Sequence, residues 1–65
     1  MKRLLRKVAE ECGELTQAAI KVHDGGDWLA QLTDEAGDVI AAINKLVTAG
    51  VIDRKKLKQR IKDKT

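Results

Sequence analysis

The sequence predicts an all-α protein: an antiparallel helical hairpin followed by a short third helix. Three observations lead there. Apolar residues recur every three or four positions over two long segments, the period of an amphipathic helix. One glycine-rich break, His23-Asp24-Gly25-Gly26-Asp27, separates those segments. The 65 residues include no Pro, Phe or Tyr and one Trp, so any core must be built from Leu, Ile, Val and Ala, which suit helix packing.

The first helix is expected over 2–23. Leu4, Leu5, Val8, Cys12, Leu15, Ala19 and Val22 form its apolar stripe, with Cys12 read as a small buried hydrophobe. Gly25 and Gly26 supply the backbone freedom of a tight reversal. Asp27 can cap the second helix, expected over 27–49. Its stripe is Leu29, Leu32, Ala36, Val39, Ile40, Ile43 and Val47, and Gly50 is placed to end it. Asp53 can cap a third helix over 53–63, which holds Leu57 and Ile61. The short break makes the first two helices an antiparallel pair.

A chain of this size buries only ~60% of its unfolded surface and is marginal alone. One Cys offers no internal disulfide to offset that, so association with further copies is the expected source of buried area. A single Cys also suits a reducing compartment. The start, Met1-Lys2-Arg3-Leu4-Leu5-Arg6-Lys7, returns to charge before an apolar run forms, unlike a signal peptide. No stretch reaches the roughly 18 apolar residues of a membrane span. A soluble, cytoplasmic chain with no membrane partner is the expectation.

The net charge of +3 is unevenly distributed. Residues 54–64 hold seven Lys or Arg against one acid, whereas residues 10–38 hold eight acids against one Lys. An acidic middle argues against a nucleic-acid binder, and the basic tail reads as a solvated face.

That acidic middle contains Glu10-Glu11-Cys12-Gly13-Glu14 and Glu35-Ala36-Gly37-Asp38. Residues three apart share a helix face, so Glu11 pairs with Glu14 and Glu35 with Asp38. Each pair flanks the apolar stripe of its helix, while Glu10 points outward. Glu14 lies eleven positions before Gly25 and Glu35 ten after it, which sets the pairs at similar heights on the two helices. Four converging carboxylates repel one another, and a bound cation removes that penalty. Ligands that are all oxygen suit Mg²⁺, Mn²⁺ or Ca²⁺ rather than zinc. Metal-assisted hydrolysis of a phosphoanhydride is the chemistry this points to. Gly13, Ala18, Gly37 and Ala42 are expected to leave room for close helix approach or a ligand. The plainer alternative is a solvated acidic surface with pairs such as Lys7 and Glu11 at i, i+4.

Together these segments resemble the signature of the MazG-like, all-α nucleoside triphosphate pyrophosphohydrolases: EExxE, a spacer, then ExxD. It stands here as Glu10-Glu11-x-x-Glu14, a spacer over 15–34, and Glu35-x-x-Asp38. The neighbours Glu-Cys-Gly-Glu-Leu and Asp-Glu-Ala-Gly-Asp-Val-Ile fit it. The run Gly50-Val51-Ile52-Asp53-Arg54 before a basic helix is similar to small, phage-type members. The resemblance implies Mg²⁺ or Mn²⁺ on Glu11, Glu14, Glu35 and Asp38. It implies cleavage between the α- and β-phosphates, releasing pyrophosphate, with Glu10 hydrogen-bonding nearby or assisting the water. It also implies homodimers or homotetramers in which hairpins pair into four-helix bundles.

Four further residues are candidates for the nucleotide. Lys21 shares the flank of Glu14 and can touch a phosphate. Trp28, beside the loop, can stack on a base. Asn44 and Lys45 lie beyond the acids on the second helix and can serve as polar ligands. The competing function is a non-catalytic helical dimerisation or interaction module, which needs none of these groups.

Overall fold

The computed structural model describes residues 1–65 and is wholly helical. Helix α1 spans Lys2–His23, α2 Leu29–Thr48 and α3 Arg54–Lys64. The all-α class, the hairpin and the short third helix are as expected.

Both long helices end in the same closure. The Gly25 N–H donates to Val22 O at 3.0 Å and the Gly26 N–H to Lys21 O at 2.8 Å. At the end of α2 the Gly50 N–H donates to Val47 O and the Val51 N–H to Leu46 O, both at 3.0 Å. This Schellman pattern needs one left-handed residue, supplied by Gly25 at φ +90° and Gly50 at φ +78°. Gly26 is required for a different reason. A Cβ there would lie 2.9 Å from the Lys21 carbonyl oxygen.

The start of α2 departs from expectation. Asp27 does not cap it: Trp28 holds the N-cap position, no side chain caps the helix, and the first helical residue is Leu29. The turn is the cause. Gly26 is tied back to Lys21 and lies against the Trp28 side chain, so the chain enters α2 through Trp28 and leaves Asp27 too early. Asp53 does cap α3, accepting from the Lys56 N–H at 3.0 Å.

Helices α1 and α2 pack against each other, whereas α3 makes only marginal contact with the rest. The start of α1 lies beside the end of α2, since Leu4 shares a cleft with Asn44, Lys45, Thr48 and Ala49. The seam holds the buried residues Ala18, Val39, Ala42, Leu46 and Val47. Leu4, Val8, Leu15, Val22, Leu32, Ala36 and Ile43 are half-buried around it. The rest of each expected stripe is open to solvent. Leu5, Cys12 and Ala19 on α1, and Leu29 and Ile40 on α2, are exposed. Cys12 is therefore not the buried hydrophobe its spacing suggested, because one partner helix covers only part of a broad apolar arc.

The radius of gyration, 13.3 Å, exceeds the ~10.7 Å of a compact domain of this length. The chain exposes 5379 Å², against roughly 4,100 Å² for a compact monomer of its mass. No helix is long and apolar enough to cross a membrane.

Candidate metal centre

The seam between α1 and α2 brings the two acidic pairs to one place. Glu11, Glu14, Glu35 and Asp38 each offer a carboxylate oxygen, and these four oxygens lie within 4.8 Å of one another. Trans ligands of an octahedral Mg²⁺ are ~4.2 Å apart, at ~2.1 Å per bond, so small side-chain adjustments close the set on one ion. Glu11 forms the floor and is only 5% exposed. Glu35 is half-buried, and Glu14 and Asp38 stand exposed at the rim.

Two oxygens in this group are orphaned. Glu11 Oε2 and Glu35 Oε2 are buried and accept no hydrogen bond. A buried unpaired acceptor costs ~1–3 kcal/mol, more for a charged group. The other Glu11 oxygen, Oε1, receives Lys7 Nζ at 2.8 Å. That contact holds the Lys7 ammonium above its ordinary pKa, through the hydrogen bond first and the Glu11 charge second. Glu35 is raised above the usual 4.5, foremost by a hydrogen bond with Glu14, then by burial, then by the charges of Glu14, Asp38 and Glu11. The donor set thus fits a hard divalent cation: all oxygen, mutually repelling, with two acceptor positions unfilled.

A pH signature follows from Glu35. Its folded pKa lies above its unfolded value. The stability gained from its bound proton is full below the unfolded pKa and disappears as pH rises through the folded one. Without metal, Glu35→Gln should therefore melt above wild type at neutral pH, and the gap should close as pH falls through the folded pKa towards the usual 4.5. Millimolar Mg²⁺ should raise the wild-type melting temperature and leave the variant nearly unmoved. A ligand that binds only the native state adds about 2.7 kcal/mol at a hundred-fold excess over Kd. Melting curves of the two proteins with and without Mg²⁺ across this pH range check it. Equal responses to metal would make the carboxylates a surface feature.

The remaining candidates divide between two ends of the hairpin. Lys45 lines a cleft of about 210 Å³ with Lys7, Glu11, Asp38, Ala41 and Ala42. It also lines the cleft that contains Asn44. At the loop end, Lys21 Nζ rests 3.7 Å from the centre of the Trp28 ring, so these two engage each other, and neither lines a cleft. Glu10 stands outside the four carboxylates, more than half exposed, with Arg6 Nε 3.7 Å from its Oε1. Lys7 is the neighbour of the four carboxylates that spacing disguised: its i, i+4 relation to Glu11 looks like any exposed helical pair.

The small residues also divide. Ala18 and Ala42 are buried in the seam and permit close approach of α1 and α2. Gly13 and Gly37 do not: both are exposed, and a Cβ on either would meet nothing within 4 Å.

Comparison with known proteins returns no match to this chain among family models, curated proteins or solved structures.

Proposed function

We propose that this chain is a Mg²⁺-dependent nucleoside triphosphate pyrophosphohydrolase, with Mn²⁺ as an alternative ion, acting in the cytoplasm as a homodimer or homotetramer of four-helix-bundle type. The observation that carries the reading is the convergence of Glu11, Glu14, Glu35 and Asp38 within 4.8 Å, with the buried Glu11 leaving Oε2 unpartnered. The motif resemblance, EExxE then ExxD, supplies the reaction class.

Each side chain has a role in this reading. Glu11 and Glu35 present their orphaned oxygens from the seam, where neighbouring helices fix their positions. Glu14 and Asp38 complete the set from the rim and leave it open towards solvent and substrate. A divalent cation, when bound, offsets phosphate charge as a Lewis acid. Lys45, with Lys7, supplies positive charge within the same cleft. Positioning and charge compensation dominate phosphoryl chemistry, and these residues provide both without a nucleophilic side chain.

A panel of canonical, deoxy and modified nucleoside triphosphates with Mg²⁺, with products separated by chromatography, tests the reaction. Nucleoside monophosphate and pyrophosphate are expected in equal amounts. Release of inorganic phosphate would assign a different reaction class. One observation favours a second reading, a helical interaction module: Leu5, Ile20, Leu29 and Ile40 are exposed large apolar residues. That function would be indifferent to the four carboxylates.

A further inference from the structure

We infer that Lys7 and Lys45 form a phosphate-binding wall beside the carboxylates. The polyphosphate of the substrate then extends from the acids towards Arg3, at the start of α1, and away from the Lys21–Trp28 loop. The inference rests on the metal-dependent reading above and gives it a direction.

Charge is arranged asymmetrically about the four acids. The cleft of about 210 Å³ is lined by the acids Glu11 and Asp38, the cations Lys7 and Lys45, and the small residues Ala41 and Ala42. It adjoins a second cleft of about 310 Å³, where Lys7 and Lys45 meet Arg3, Arg6 and a single acid, Glu10. Lys45 lines both, so the two form one path. That path starts at the carboxylates and becomes positive along its length. A cation held by the acids followed by two or three ammonium or guanidinium groups matches a metal–polyphosphate, whose charge continues beyond the phosphate nearest the metal. A lysine suits this role as a point charge that makes short, charge-assisted hydrogen bonds.

Folding does not account for these cations. Lys45 and Arg3 make no ion pair; the chain's ion pairs are Arg6–Glu10, Lys7–Glu11 and His23–Asp24. Lys7 does have a partner, but on a carboxylate whose second oxygen is left bare. A divalent cation bound across Glu11 competes with that single ammonium. The released Lys7 then turns its N–H donors into the cleft it already lines. The loop end lacks such a path, because Lys21 is spent on the face of Trp28.

Calorimetry on the full chain tests this with two probes, MnCl₂ and inorganic pyrophosphate, the latter titrated with and without Mn²⁺. Wild type is compared with Lys7→Gln, Lys45→Gln, Lys21→Gln and, as a control on α3, Lys58→Gln. Pyrophosphate should bind about ten-fold more weakly to Lys7→Gln and to Lys45→Gln, the loss of one charge-assisted hydrogen bond each. Mn²⁺ should bind Lys45→Gln as it binds wild type, and Lys7→Gln equally or more tightly, since a competing ammonium is gone. A purely structural Lys7–Glu11 pair would not weaken pyrophosphate binding while leaving Mn²⁺ binding intact or tighter. If Lys7→Gln loses helicity, Lys7→Arg should restore the fold and the pyrophosphate affinity together. Wild-type pyrophosphate affinity in both Lys7→Gln and Lys45→Gln, with Mn²⁺ bound normally, overturns the wall and leaves the metal centre standing. A loss confined to Lys21→Gln overturns it by placing the phosphates at the loop end. A wild-type chain that binds no Mn²⁺ overturns both the wall and the reading beneath it.

Discussion

Glu11→Ala should lower pyrophosphohydrolase turnover by about a hundred-fold or more at saturating Mg²⁺, with the helices intact. Glu11 is the one buried acid and sits where the two helices meet. A cation that offsets phosphate charge supplies several kcal/mol of transition-state stabilisation, and each ~1.4 kcal/mol is a factor of ten in rate. Removing the floor ligand weakens both the grip on the ion and its alignment with the reacting phosphorus. The loss should therefore appear in kcat as well as in metal affinity, and excess Mg²⁺ should recover only part of it.

The four ligand positions should not respond alike. Glu35→Ala should approach Glu11→Ala, because its Oε2 is likewise buried and unpartnered. Glu14→Ala and Asp38→Ala should fall less far, since these rim side chains are exposed and water can replace a rim ligand more easily. Glu10→Ala should stay within about two-fold, as its carboxylate faces Arg6 outside the group. Circular dichroism keeps folding separate from chemistry in this series. Wild-type rates in all four ligand variants would sink the enzymatic reading and leave the interaction module.

How much of this was legible in the sequence depends on how local each signal is. Asp53 and Gly50 act within a few residues of themselves, and both perform the roles that their positions indicate. Asp27 is equally well placed by local rules, yet the tight return at Gly26 moves the start of α2 past it. The acidic pairs were legible because a helix face and a loop centre are enough to set their heights. The basic side was less so. Lys45 stood out, but Lys7 shares its spacing with countless surface pairs, and Arg3 joins the path only through the relative placement of two helices. Cys12 shows the same limit from the apolar side. Periodicity identifies an apolar arc and does not say how much of it one neighbour will cover.

Ile40→Glu should convert an associated wild-type chain into a poorly stable monomer. Ile40 is 59% exposed and Leu29 65%. By helical angle both lie, with Leu5, Cys12 and Ile20 of α1, on the hairpin face opposite the carboxylates. Gly37 falls about 60° from Ile40 by the same helical count, and the open space above it admits close approach by another helix. The surface in excess of a compact monomer is about 1,250 Å² per chain. Covered in two copies, that is roughly 2,500 Å², within the range of obligate homodimers. In a true monomer a substitution at so exposed a position stays within about 0.5 kcal/mol. In a bundle it buries an unpaired charge at an interface centre and should cost about 2 kcal/mol or more, lowering the melting temperature by ~8 °C or more in a domain of this size. Gln17→Glu, on the polar flank of α1, adds the same charge away from that face and should change neither mass nor melting. Sedimentation at micromolar concentration, paired with thermal melts of the three proteins, makes the comparison. A well-folded wild-type monomer whose stability Ile40→Glu leaves untouched would remove the homo-oligomer, and the carboxylate centre would then have to work within a single hairpin.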